Sequence, residues 1–258
     1  MKPTILLVED NKEMVEVLTD VLEEQYRVLA ARNGQLALAR IGVETVDLII
    51  SDVMMPIMDG FELCKIIKSN FEYSHIPIIL LTAKNTIQSK IEGLELGADA
   101  YIEKPFLTNH LRVQIANLLS NRNKLKEYFA QSPAVQLKSV AHTRPDALFL
   151  DKLNGVIQAN LDDPELDVDQ LTRLMNMSRT NLFSKIKSLT NLTPHELVNI
   201  TRLKKAAELL SDRQYKIYEI AAMTGFGSQT NFGRNFLKQF GMPPTEYQKR
   251  MQSDEPGQ

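Results

Sequence analysis

Cysteine is nearly absent from the 258 residues: Cys64 stands alone, so neither an internal disulfide framework nor a cysteine-based zinc site can be built. A lone cysteine of this kind reads as a small buried apolar side chain. Histidine is also scarce. The four residues His75, His110, His142 and His195 lie far apart with no i, i+4 pair, which excludes the helical spacing of a His-built metal centre and leaves no paired general base. Long apolar runs are missing too, since none reaches the roughly 18 residues that a membrane-spanning helix needs. The opening MKPTILLVED has one lysine and a short apolar run ending in two acids, the pattern of a buried strand and not of a signal peptide. These absences lead to the expectation of a cytoplasmic protein.

What is present is a globular composition, 43% apolar and 24% charged, over a length that allows two domains with a core each. The net charge of −2 hides an uneven distribution. Residues 1–130 carry 14 Lys+Arg against 18 Asp+Glu, a net −4, whereas residues 173–250 carry 13 against 5, a net +8. A positive field of that size draws a polyanion, although a plain solvated face would carry the same charge.

In the first half, short β-branched or aliphatic runs alternate with amphipathic segments. Ile5–Val8, Arg27–Ala30, Leu48–Ser51, Ile78–Leu81 and Ala100–Ile102 read as strands. Helical spacing fills Asn11–Glu24, Gln35–Val43, Phe61–Ser69, Thr86–Leu96 and Leu107 to about Phe129. Five strand-helix repeats specify an α/β domain with a doubly wound, five-stranded parallel sheet of the flavodoxin-like kind, covered on both faces. In such sheets a ligand sits beyond the carboxyl ends of the strands, near the point where strand order reverses.

The residues at those ends are Glu9 and Asp10 after the first strand, Asp52 after the third, Thr82 after the fourth and Lys104 after the fifth. Three carboxylates at one sheet edge repel each other unless a cation sits among them, and an all-oxygen set suits Mg2+. An ionised carboxylate can attack a phosphoryl group to form an aspartyl phosphate, with positioning and charge neutralisation carrying most of the catalysis. Each of these residues alone would be an ordinary surface feature; the set at matching strand ends, with Pro105 after Lys104, points to a site.

The stretches LLVEDN (6–11), SDVMMPIMDG (51–60), LTAK (81–84) and GADAYIEKPF (97–106) resemble the receiver domain of two-component response regulators. The resemblance implies that Asp52 is the phosphoacceptor and that Glu9, Asp10, Asp52 and the Met54 carbonyl hold Mg2+. It implies further that Lys104 pairs with the phosphoryl group, that Thr82 and Tyr101 form the switch pair, and that the Lys104-Pro105 bond is cis.

The last helix of this half runs on through NRNKLKEYFA (121–130), so the receiver is expected over 1–130 and a linker over 131–147, where periodicity is weak. From Leu148 the pattern is helical throughout: Leu148–Asn160, Val168–Met175, Arg179–Leu189, Pro194–Leu210, Ile217–Thr224, Gln229–Phe240 and a short last turn. Two of the tight pairs have helix-turn-helix spacing, so an all-α domain with two such units is expected over 148–250, followed by a disordered tail, 251–258. In the second helix of each pair, Leu182, Ile186 and Leu189, then Phe232, Phe236 and Phe240, form core stripes. The outward sets are Arg179, Thr180, Ser184 and Lys187, then Gln229, Thr230, Asn231 and Arg234. They carry hydrogen-bonding groups suited to base edges in a major groove or to phosphates.

Residues 148–250, and AAMTGFGSQTNFGRNFLKQFGMPPTEYQ (221–248) above all, resemble the AraC-type DNA-binding domain. That resemblance implies two recognition helices in successive major grooves, held on one side by the long helix from Pro194; Gly233 and Leu237 depart from the family's usual residues. The pairing of the two domains resembles the C-terminal end of hybrid two-component regulators of Bacteroides-type bacteria. The implied partners are a histidine kinase, separate or in cis, double-stranded promoter DNA and a second copy of the chain when phosphorylated, with no membrane contact. A phosphatase of the haloacid-dehalogenase kind would also use an aspartyl phosphate, but it wants a second acid where Met54 stands; the expectation is a regulator that catalyses only its own phosphoryl transfer and dephosphorylation. A scaffold that binds partners and not DNA would share the basic charge.

Overall fold

The computed structural model describes residues 2–83, 96–131, 141, 143–212 and 214–253, with the backbone alone for 121–131 and 251–253. The chain divides into two compact units, the first holding the sheet and the second the helices from Leu150 onward. Among the described residues no helix is long and apolar enough to cross a membrane.

The first unit follows the alternation of its sequence. Strands β1 (Thr4–Val8), β2 (Arg27–Ala31), β3 (Leu48–Asp52), β4 (Ile78–Thr82) and β5 (Ala100–Glu103) pair in parallel in the order β2-β1-β3-β4-β5. Strands β1, β3 and β4 are buried along their whole length, as inner strands of a sheet covered on both faces must be. Helices α1 (Lys12–Leu22), α2 (Gly34–Ile41) and α3 (Gly60–Ser69) start at Asn11, Asn33 and Asp59, whose side chains accept the N–H groups of Met14, Leu36 and Glu62. One face of the sheet packs against α2 and α3 through Ala37, Ile41, Leu63, Cys64 and Ile67. The other packs against α1 and α4 (Thr108–Gln131) through Leu18, Leu22, Leu111 and Ile115. Strand order reverses between β1 and β3, so the carboxyl ends of those two strands open the crevice where the acids lie. Of the expected helix Thr86–Leu96, only Leu96 falls within the described residues, in a turn.

Helix α5 (Arg144–Ala159) begins four residues earlier than the pattern predicts, inside the expected linker. Thr143 caps it: its Oγ1 accepts the Asp146 N–H at 3.2 Å, and Pro145 sits in the first turn, where a missing N–H costs nothing. The second unit continues with α6 (Val168–Met175), α7 (Arg179–Thr190), α8 (Pro194–Asp212), α9 (Ile217–Met223), α10 (Gln229–Phe240) and α11 (Pro244–Ser253). Asp167, Ser178 and Ser228 cap α6, α7 and α10, and left-handed Asn176, Asn191 and Gly241 close them. Thr193 and Glu196 form the capping box of α8. The last turn is longer than expected. A ten-residue helix forms because Tyr247 stacks on Phe236 and Phe240, and it takes in Met251–Ser253 of the predicted disordered tail.

Candidate functional site

Three strand ends bring the predicted acids together. One carboxylate oxygen from each of Glu9, Asp10 and Asp52 lies within 4.8 Å of the other two. Glu9 is 1% and Asp52 8% exposed, while Asp10 faces solvent. Lys104, reached through the cis Lys104-Pro105 peptide, places Nζ 2.8 Å from Glu9 Oε2 and 3.1 Å from Asp52 Oδ1. Asp52 Oδ1 also accepts the N–H of Val53 at 2.9 Å, and Glu9 Oε1 accepts that of Asn11 at 3.3 Å. The backbone of Lys104 is fixed to β4 by its N–H, 2.7 Å from the Thr82 carbonyl.

Burial pushes the Glu9 carboxyl above its usual range, with the hydrogen bond from Lys104 pulling against it and the charge of Asp52 adding to the rise. Burial alone would depress Lys104, yet the hydrogen bonds and charges of Glu9 and Asp52 outweigh it and leave the ammonium held more firmly than usual. Among the described residues, one lysine against three carboxylates leaves an excess of negative charge among oxygen donors. That donor set fits a hard divalent cation of the Mg2+ type.

Thr82 is fully buried at the end of β4. Tyr101, on β5, packs its half-buried ring on the α2/α3 face, and its hydroxyl is buried with no hydrogen-bond partner among the described residues. The side chain of Met54 is 56% exposed beside the crevice.

In the second unit the predicted outward residues divide. Arg179, Thr180, Lys187, Gln229, Thr230, Asn231 and Arg234 are exposed. Ser184 is only half-buried, whereas Phe183 is 43% exposed. The outward face of α7 therefore runs through 179, 180, 183 and 187, because Leu182, Lys185, Ile186 and Leu189 point into the unit. Asp169 of α6 pairs with Arg179, and Lys187 donates to the Asn191 carbonyl at 2.7 Å. Gly233 has open space where a Cβ would stand, and Leu237 is 46% exposed.

The family described as "Response regulator receiver domain" matches residues 5–116, and that described as "Helix-turn-helix domain", of AraC type, matches 171–250. A protein of Pyropia yezoensis named "Probable transcriptional regulator ycf29" is 32% identical over 76% of this chain and 95% of its own. "Response regulator GtcR" of Aneurinibacillus migulanus is 35% identical over 72% of this chain and 75% of its own. The chain belongs to the response regulators. A "Histidine kinase P4" of Formosa agariphila is 40% identical over 96% of this response regulator, which spans 18% of the kinase's length.

Two features of this response regulator's site escaped the sequence reading. A Cβ at Gly60 would lie 2.2 Å from the Asp52 carbonyl oxygen, so glycine is what lets α3 start directly against the end of β3. The Pro56-Ile57 stretch gives no sign that Ile57 is left-handed, φ 72°, in the loop between Asp52 and α3. For a β-branched residue that conformation costs on the order of 1–2 kcal/mol.

Proposed function

We propose that Asp52 is the phosphoacceptor of a two-component response regulator and that its phosphorylation controls sequence-specific DNA binding by the helix-turn-helix units. The observation that carries this reading is the meeting of Glu9, Asp10 and Asp52 within 4.8 Å at the sheet's switch point, with Lys104 on two of them. Glu9, Asp10, Asp52 and the Met54 carbonyl would hold Mg2+. When bound, the ion supplies charge neutralisation for the phosphoryl oxygens. With Asp52 Oδ1 engaged by Val53 and Lys104, Oδ2 is the oxygen that attacks phosphorus while the P–N bond to a kinase phosphohistidine breaks. Lys104 then exchanges carboxylate for phosphoryl oxygen, Thr82 donates to another, and Tyr101 adjusts behind it.

The boundaries that accompany this reading are a receiver over 1–130, a linker over 131–147 and a DNA-binding domain over 148–250. Helices α7 and α10 are the recognition helices, and Arg179, Thr180, Ser184, Lys187, Gln229, Thr230, Asn231 and Arg234 the contacts, with Ser184 half-buried among exposed neighbours. Phosphorylation pairs two copies on adjacent half-sites in the cytoplasm. Asp52→Asn should abolish acid-labile phosphate incorporation from a histidine kinase. Labelling that persists in the variant would put the acceptor elsewhere. A phosphomonoester substrate should give no sustained turnover, and steady release of phosphate would make the protein an enzyme of another class.

A second reading rests on the match to the Formosa histidine kinase over 96% of this chain. In it, the same machinery forms the C-terminal part of a hybrid sensor. An open reading frame running upstream of Met1 in the genome supports it, and a stop codon there excludes it.

A further inference from the structure

The two helix-turn-helix units share one backbone junction at Arg202. This residue lies midway along α8, which is about 28 Å long at 1.5 Å per residue and packs against α7 as well as α9, α10 and α11. Its guanidinium donates through NH2 to the carbonyl of Asp163, in the loop between α5 and α6. Asp163 in turn accepts the Glu165 N–H at 2.9 Å and a hydrogen bond from Gln170 Nε2 of α6 at 3.2 Å, so this loop is tied to the first helix-turn-helix pair. From the other side comes the turn of the second helix-turn-helix pair. Gly225, at φ +69°, lies so close that a Cβ would stand 2.5 Å from the Leu161 carbonyl and 2.8 Å from Arg202 NH2.

Stability alone is a poor reason for this arrangement. Arg202 Nε is buried with no hydrogen-bond partner among the described residues, and burial weakens the guanidinium's hold on its proton, with the charge of Asp163 opposing that effect. A buried cation with unmade bonds is worth less than an apolar side chain that fills the same volume. A rigid planar fork, in contrast, fixes the distance and angle between the groups it touches.

We propose that Arg202, with Asp163 and Gly225, sets the relative orientation of the two helix-turn-helix units and so the spacing at which α7 and α10 engage DNA. Arg202 is thus a positioning residue that need not touch the nucleic acid. Helix α8 carries the two units; the Arg202 junction holds their angle.

This rests on the DNA-binding reading above, and the test separates the two. Duplexes are selected from a randomised pool with the full chain, the two protected patches are mapped, and affinity is measured after inserting about half a helical turn between them. The wild-type chain should lose about tenfold or more on insertion. Arg202→Met should lose less than about threefold, with affinity for a duplex carrying one patch unchanged. Arg202→Lys keeps the cation and one donor for Asp163, so it folds even where Met does not, and it should relax the spacing preference part-way. Variants that keep the wild-type spacing preference, or that weaken one-patch and two-patch duplexes equally, overturn the proposal. A wild-type chain that selects no duplex overturns the DNA reading and this inference with it.

Discussion

Lys104 balances two carboxylates that a cation would otherwise share. Its Nζ lies 2.8 Å from Glu9 and 3.1 Å from Asp52, so Lys104 and a divalent ion draw on the same oxygens. Lys104→Met is therefore predicted to bind Mg2+ at least as tightly as the parent by calorimetry, while phosphorylation no longer changes its DNA affinity. Weaker Mg2+ binding would show that Lys104 supports the metal site. Cys64 is fully buried, and burial pushes its thiol up to about 11. The folded chain should resist alkylation near pH 8, where an ordinary exposed thiol is about a quarter ionised. Modification at the rate of an unfolded control would contradict the packing. At this scale the acids, Thr82 and Lys104 were legible because strand-helix alternation alone carries them to one sheet edge. Gly60 against the Asp52 carbonyl and the left-handed Ile57 were not, since both follow from how the loop after Asp52 closes. The half-burial of Ser184 and the exposure of Phe183 have a similar cause: apolar spacing gives a stripe, and packing shows which residues border it.

Elements with strong local signals matched the sequence reading closely, and those whose ends depend on tertiary contacts did not. The inner strands and helices α1, α3, α7 and α10 fall where the apolar period puts them, within two residues at each end. The start of α5 and the extent of α11 were misjudged, because a threonine cap followed by proline, and one tyrosine stacked on two phenylalanines, are weak signals beside a heptad of apolar residues. Gly60→Ala forces a methyl group against the Asp52 backbone and should destabilise the receiver by about 1–3 kcal/mol in urea unfolding, with weaker Mg2+ binding. An unchanged midpoint would mean that the loop can yield. Glu196 closes the capping box of α8, and the hydrogen bond from the Thr193 N–H, then that from its hydroxyl, hold its carboxyl below the usual range. A depressed carboxylate stabilises the fold above its ordinary pKa and loses that contribution as pH falls through the lowered value. Glu196→Gln should thus cost about 0.5–1 kcal/mol at neutral pH and little in acid below the lowered pKa. An equal loss at both pH values would assign the effect to packing.

Across the whole molecule, charge and chemistry divide between the two units. Residues 1–130 are net negative and carry the oxygen-lined crevice; residues 173–250 are net positive and carry two helices with exposed polar faces. DNA affinity should accordingly fall steeply with salt, and Arg234→Ala should flatten that slope by about one unit if it meets a phosphate. An identical slope would remove Arg234 from the contacts. Two units and their order were readable from motifs, because each motif reports a local arrangement. The junction at Arg202 was not, since Asp163, Arg202 and Gly225 are distant in sequence and meet only in the packed unit. Charge added at Asp52 is predicted to change the DNA affinity of the helical unit. The most direct test is the affinity of the full chain for a selected duplex, measured with Mg2+, with and without beryllofluoride. The account predicts tighter binding with beryllofluoride in the parent and no change in Asp52→Asn. Equal affinities in the parent under both conditions would contradict it.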